Sequence, residues 1–470
     1  MVTSDLALLT AKQQASLVRG HKASAFEVVD ATLARIHAVN GKINAFITIC
    51  DEEARQAARA LDRAIWAGSP LGPLAGVPVG LKDCVETAGI RTTAGSHALE
   101  NNYPGRDATV VSRLKGAGAI IIGKTHLSEF ATAPVVFGDM RNPWDPQRMA
   151  GASSGGSGAA VGGWLCPVAF GTDTGGSIRM PASFSGAVGL KPTYGRISLR
   201  GVVPLSWSLD HIGPITRTAE DMALVLSAVA GYDAEYPWSA DAPVSKYHLG
   251  LRRGVKGLRL GVPKQYFFDL VDPEVKSVVS NAIGTLLGLG MTPVHAALPS
   301  FDRCMENAHT IRVVETAIAL GAQADRAPEK FGQVVRNSIA TGRSTSGVKY
   351  AEAQQYRQTL RSSMLAAFEQ FDVLVTPAMA MLPPLLSEFL YDAPYVINGK
   401  SVPLGYALAG FAHMFNLSGF PAVSVLCGFS KNGLPIGMQL AARPFDEETL
   451  LRVAYSYQSS ALFHRRRPPL

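Results

Sequence analysis

Residues 151–179, GASSGGSGAAVGGWLCPVAFGTDTGGSIR, set the strongest limit on how this chain folds. Two Gly/Ser-dense turns flank an apolar run that can carry the backbone through a hydrophobic core. Glycines in such turns permit left-handed backbone and close approach to a ligand. Successive N–H groups at a tight turn or helix start can hold an anionic oxygen. Serines set among those donors suggest acyl transfer, in which a hydroxyl attacks a carbonyl and the amides receive the developing oxyanion. What the stretch lacks is a base.

A chain of 470 residues can bury a large core, as one big domain or as two to three smaller ones. Hydrophobic residues at 47% against 17% charged fit a deeply packed enzyme and argue against a disordered or fibrous chain. No window offers about 18 uninterrupted apolar residues, so no transmembrane span is expected. The opening MVTSDLALLTAKQQASLVRG has no basic start, compact apolar centre and small-residue cleavage site, so no signal peptide is expected either. Cys50, Cys84, Cys166, Cys304 and Cys427 are scattered without a CxxC pair, which favours reduced thiols and a cytoplasmic location. The net charge is +7 and the tail ends RRRPPL. The other basic residues form no long block, so a solvated surface is preferred over nucleic-acid contact.

Along the chain, 4–66 reads mostly as helix, with apolar residues at helical spacing in 23–38 and 51–66. GVPVGLK at 76–82 reads as a strand that delivers Lys82 and Asp83 at its far end. A helix over 107–116 and a strand over 119–122 follow. GAIIIGKT at 118–125 satisfies GxxxxGK[ST] literally. The phosphate-binding form needs a flexible, donor-rich loop inside the motif. Here Ala-Ile-Ile-Ile prefers to be the strand itself, so a buried strand with Lys124 at its exit is the favoured reading. Residues 159–170 read as a buried helix leading into a short strand, and 181–189 as a helix start and turn. Thr218 caps a helix with Asp221 three residues on. A surface loop spans 232–247, and a strand–helix–strand unit covers 258–262, 273–289 and 292–296, which favours α/β architecture. Residues 303–370 are largely helical with a break around 341–347. Strands ending at Pro377, in SGFPAVSVLCG and in LPIGMQLAA precede a last helix starting near Asp446.

Serine at its ordinary pKa is a weak nucleophile and needs a proton acceptor. Of ten histidines, His211 in SLDHIG is the best placed, with a structural or rim role preferred for it. Residues 151–155, GASSG, also satisfy the GxSxG nucleophile elbow. That pattern requires a strand directly before it, and NPWDPQRMA is a poor strand. Lysine is the other option, because burial disfavours the ammonium form. Lys82 follows GVPVGL directly, yet adjacent Asp83 leaves a plain salt bridge equally open.

GVPVGLKD, GASSGGSGAA, GTDTGGSIRMPA, GLKPTYGRIS and SLDHIGPITRTAED together resemble the amidase signature family of serine hydrolases. NLSGFPAVSV, GLPIGMQL and FDEETLL extend the likeness towards the C-terminus. The resemblance implies an α/β fold whose central mixed sheet is covered by helices on both faces. It implies one amidase domain over 1–470: a helical N-terminal region at 1–70, a catalytic core at 75–225, a more variable substrate-specificity region at 232–370 and the rest of the core at 371–470. It implies a Ser–Ser–Lys triad, with Lys82 as base, Ser153 as bridge after a cis peptide bond, and Ser177 as nucleophile. Backbone N–H groups of Thr174, Gly175, Gly176 and Ser177 would form the oxyanion hole. Asp173 and Arg179 would brace the loop, and Ser154 would support Ser153. No cofactor and no metal is implied.

Two departures stand out. Ala152 replaces a frequent glycine, and Met180 replaces a familiar glutamine, which puts a family hydrogen bond in doubt and makes that flank more apolar. His126 stands where asparagine is common, at the pocket rim or simply packed. The implied activity is hydrolysis of a small carboxamide, including aryl and ureido amides, by a free-standing enzyme, with a homodimer compatible. The glutaminase component of a tRNA-dependent amidotransferase is the alternative, and GLKPTYGRIS resembles it. A non-catalytic or nucleotide-binding protein using 118–125 is the second alternative, disfavoured by the intact Lys82, Ser153 and Ser177. Substrate choice is expected in 130–148, 232–370 and the loop around 411–416, with Phe137, Trp144, Trp238 and Phe415 as candidate pocket aromatics.

Overall fold

The computed structural model describes residues 3–132, 134–389 and 394–470. Residues 1, 2, 133 and 390–393, which belong to the expected N-terminal region, the 130–148 segment and the C-terminal part, lie outside the described residues. The strands are β1 (Phe46–Ile49), β2 (Pro78–Lys82), β3 (Ile120–Thr125), β4 (Val168–Thr172), β5 (Val188–Lys191), β6 (Ile212–Thr216), β7 (Arg259–Val262), β8 (Thr292–His295), β9 (Val373–Pro377), β10 (Pro394–Ile397), β11 (Lys400–Pro403), β12 (Ala422–Phe429) and β13 (Pro435–Ala441). Eleven of them form one mixed sheet in the order β1-β3-β2-β4-β6-β5-β12-β13-β9-β7-β8. The β3/β2/β4 and β9/β7/β8 neighbours are parallel and the remaining pairs antiparallel. β10 and β11 make a separate hairpin.

Alternation along the strands explains why both faces are covered, since successive side chains point to opposite sides. Val79, Leu81, Ile121, Val168 and Phe170 join one apolar layer, while Ile120, Ile122, Ala169 and Ile215 join the other. The helices Thr109–Gly116, Ala219–Val229, Pro273–Gly288 and Glu447–Ala461 supply the first layer, Ala25–Ile43 and Gly155–Gly162 the second, and Arg179–Ser185 contributes to both, with Met180 and Phe184 in the first and Ala182 in the second. Their starts follow from side-chain caps. Ser24 and Glu27 form a reciprocal capping box, Thr218 Oγ1 accepts from Asp221 N (3.0 Å), and Asp446 Oδ1 accepts from Thr449 N (3.2 Å). Among the described residues, no helix is long and apolar enough to cross a membrane.

Two local expectations need correction. The helical reading of 4–66 passes over β1: Asn44 ends the preceding helix in the left-handed region (φ 50°), and Phe-Ile-Thr-Ile then pairs antiparallel with β3. The 303–370 stretch is broken twice, between Cys304–Arg326, Gln333–Ser344 and Gly347–Ala367. The first break falls at Ala327-Pro328, where proline lacks an N–H and restricts the residue before it.

Candidate active site

Lys82 ends β2 and Thr172 ends β4, and these strands are parallel neighbours in register at Leu81 and Phe170. Both side chains therefore emerge at adjoining strand ends, where α/β sheets open their crevices. Lys82 is fully buried, and its Nζ donates to Ser153 Oγ (2.8 Å) and Thr172 Oγ1 (2.7 Å). The Ala152–Ser153 peptide bond is cis. Burial drives the Lys82 amine from its usual range down to about 8, against the opposing pull of Asp210 and Asp173. A minor fraction of the amine is therefore uncharged at neutral pH, rising to about half near pH 8.

Ser154 holds this arrangement from below. Its Oγ donates to the Thr172 carbonyl (3.1 Å) and accepts from the Thr172 N–H (3.2 Å), tying the serine turn to the end of β4. The helix Gly155–Gly162 can lie this close only because Gly156 has no side chain. A Cβ there would sit 2.4 Å from His126 N and 2.5 Å from the Ala45 carbonyl oxygen. Beside it, Ala152 N donates to the Met180 sulfur at 3.3 Å, so Met180 supplies a soft acceptor where the resemblance led to doubt about a hydrogen bond.

Ser177 is half-buried and lines a cavity of about 280 Å³ together with Ser153, Thr174, Gly175, Met180 and His413. The turn that presents it is built around the Asp173 carboxylate. That group accepts from Gly176 N (2.8 Å), Ile178 N (3.2 Å), Arg179 Nε (3.0 Å) and Nη2 (2.9 Å), and Asn416 Nδ2 (2.9 Å). Arg179 also reaches Asn416 Oδ1 (2.7 Å) and Gln439 Oε1 (2.8 Å). Burial alone would raise the Asp173 carboxyl, but Arg179 and these hydrogen bonds together hold it far below the usual carboxylate range. The Gly176 amide donates to Asp173, while the amides of Thr174, Gly175 and Ser177 have no hydrogen-bond partner among the described residues. Thr174 is fixed by its hydroxyl, which donates to Asp210 Oδ1 at 2.5 Å.

Several sequence candidates lie elsewhere. His211 is buried, with Nδ1 2.7 Å from the Leu209 carbonyl oxygen and its ring edge-on to Tyr194. His126 is fully buried, does not line the cavity, and is pushed down to about 4 by burial. Lys124 is a buried residue of β3 whose Nζ donates to Val85 O (2.5 Å) and Thr92 Oγ1 (2.7 Å). With 120–125 as sheet backbone, the nucleotide-binding alternative loses both its loop and its lysine. Among the described residues no strand leads directly into 151–155, so the nucleophile-elbow geometry is not formed there.

The aromatic lining is also corrected, since none of the four named aromatics lines the cavity. Phe137 packs against His97, Trp144 donates to Ser185 O (2.9 Å), Trp238 is exposed, and Phe415 is buried beneath Arg179. Not named individually in the sequence reading are Thr172, Asn416, Gln439, Arg312 and His413, although His413 and Asn416 lie in the 411–416 loop and Arg312 in the 232–370 region. His413 sits directly against the glycine turn: a Cβ on Gly175 would meet its Cε1 at 2.4 Å. Burial, and then the charge of Arg312, push the His413 imidazole down to about 4.

A family model described as Amidase matches residues 27–451. The chain belongs to the amidase signature family. Membership makes it an enzyme of amide C–N bonds. The chain is 42% identical to a Glutamyl-tRNA(Gln) amidotransferase subunit of Moorella thermoacetica, over 99% of each chain. It is 41% identical to an Amidase of Pseudomonas putida, again over 99% of each. Among solved structures, 6-aminohexanoate cyclic dimer hydrolase complexed with substrate superposes with a TM-score of 0.89 at 30% identity, covering 98% of this chain and 99% of that one. The relatives carry both kinds of name, so the family does not by itself favour a free-standing amidase over a component of an amidotransferase.

Proposed function

We propose that this protein hydrolyses a small carboxamide through an acyl-enzyme on Ser177, with Ser153 and uncharged Lys82 as the proton relay. The observation that carries the reading is the 2.8 Å contact between a fully buried lysine amine and Ser153 Oγ, beside a cavity that Ser177 shares. As Ser177 Oγ attacks the amide carbon, its proton passes to Ser153 Oγ while the Ser153 proton passes to Lys82 Nζ. The carbonyl oxygen becomes an oxyanion that the amides of Thr174, Gly175 and Ser177 would receive. The reverse relay protonates the leaving nitrogen as the C–N bond breaks. Water then attacks the ester by the same route, releasing the acid and restoring the Ser177 hydroxyl.

The direct test is release of ammonia or amine from a panel of amides by the purified chain alone. Ser177→Ala is expected to abolish turnover, and Lys82→Ala to lower it by orders of magnitude with the circular dichroism spectrum retained. The second reading, the glutaminase component of an amidotransferase, is favoured by the 42% identity to the Moorella protein over nearly full length. It predicts no amidase activity alone, and glutamine hydrolysis only in the presence of partner proteins.

A further inference from the structure

The cavity beside Ser177 has one permanently charged side chain in its wall, Arg312, and no carboxylate among the described lining residues. Arg312 projects from the helix Cys304–Arg326 and is half-buried. Its guanidinium contacts Thr132 Oγ1 (3.3 Å) and His309 Nδ1 (3.1 Å), both neutral acceptors. Among the described residues, no Asp or Glu oxygen comes within 4.0 Å of it. The acidic residue one turn along the same helix, Glu315, is engaged with Ser206 Oγ (2.6 Å), Ser208 Oγ (2.7 Å) and Tyr350 OH (2.9 Å). The fully buried Arg179 and Arg196 do have acidic partners, Asp173 (2.9 Å) and Glu447 (3.6 Å). A half-desolvated guanidinium that faces a cavity and has no acidic partner among the described residues is a receptor for a planar anion, which its fork of donors can bind in bidentate fashion. The rest of the wall is mostly small or aliphatic (Leu205, Leu209, Ala308, Val334, Leu408), suited to a short carbon chain.

We infer that Arg312 receives a carboxylate at the far end of the acyl portion, so that the preferred substrates are monoamides of short dicarboxylic acids. This rests on the hydrolase reading above and deepens it. An α-ammonium group is disfavoured by the same geometry, because the described wall offers it no carboxylate and sets a fixed positive charge nearby. Glutamine is therefore expected to be poorer than glutaric acid monoamide, which is the same molecule without its amino group.

The test compares kcat/KM for glutaric acid monoamide, its neutral methyl ester and L-glutamine in the wild type, Arg312→Ala and Arg312→Lys. The wild type is expected to prefer the acid amide over the ester by roughly 10- to 100-fold, the range of a charge-assisted pair. In Arg312→Ala that ratio collapses towards 1, chiefly through KM, and Arg312→Lys restores part of it. A wild-type ratio near 1, a preference for glutamine, or equal loss on both substrates in Arg312→Ala overturns the assignment and leaves the hydrolase reading intact. Calorimetry on Ser177→Ala separates the two claims. Binding of glutaric acid monoamide that disappears when Arg312→Ala is added supports the anion site even without turnover, whereas absence of binding rejects it.

Discussion

At the residue scale, the chemistry turns on how strongly burial acts on one amine. Lys82 lies at the end of a strand with two hydroxyls on its Nζ and no carboxylate in direct contact, so desolvation prevails and its pKa falls to about 8. The sign of the pH dependence follows. The relay needs the unprotonated amine, so kcat/KM rises with pH through an apparent pKa of about 8 and loses about tenfold per unit well below it. An initial-rate profile from pH 5 to 10 checks this, and a rate that falls with rising pH through that range contradicts it. Lys124 shows that burial alone does not define the role. It is equally enclosed, but its Nζ is held by Val85 O and Thr92 Oγ1 and lies 3.6 Å from Asp83. The sequence offered both lysines after apolar runs, and the contacts of Nζ distinguish them.

Elements matter here as devices for aiming backbone. The helix Gly155–Gly162 starts directly after the serine turn and lies against the backbone at Ala45 and His126. Gly156→Ala places a methyl group 2.4 Å from a main-chain nitrogen that cannot rotate away. The expected cost is about 1–3 kcal/mol of stability, as for overpacking in a core, together with loss of activity as Ser153 moves off Lys82. Urea unfolding followed by circular dichroism measures the first effect, and wild-type stability in that variant would refute the close-approach argument. Much at this scale was readable beforehand, because capping residues and apolar periodicity are local signals. Helices after Thr218 and Asp446, and the strand ending in Lys82, fall where those signals place them. β1 was hidden because four residues between two helices are too few to display a period of two. The hairpin β10–β11 was hidden for the same reason.

Across the whole molecule, the nucleophile turn is secured by residues far away in sequence. Asp173 and Arg179 meet Asn416 and Gln439, which arrive with the C-terminal part of the chain. The sequence supplied Asp173 and Arg179 through their local string, and Asn416 and Gln439 stand in strings of the same likeness, but their pairing across some 240 to 260 positions carries no local mark. Arg312 and His413 escaped notice for the same reason, since each becomes meaningful only when the cavity is assembled. Asp173→Asn would leave Arg179 buried without its counter-charge, and breaking such a pair costs about 3–5 kcal/mol. Reduced stability in chemical denaturation, with turnover lost even under conditions where the variant stays folded, is the expected result. Unchanged stability would show that Asn416 and Gln439 suffice to hold the arginine.

Covalent labelling with a fluorophosphonate, read by fragment-level mass spectrometry, tests the relay most directly. The tryptic peptide 149–179 carries Ser153, Ser154, Ser157 and Ser177 together, so the fragments must assign the adduct to a single serine. The account predicts one adduct on Ser177, absent in Ser177→Ala and formed far more slowly in Lys82→Ala. An adduct on Ser153, or on a serine outside this peptide, with catalysis blocked would contradict it.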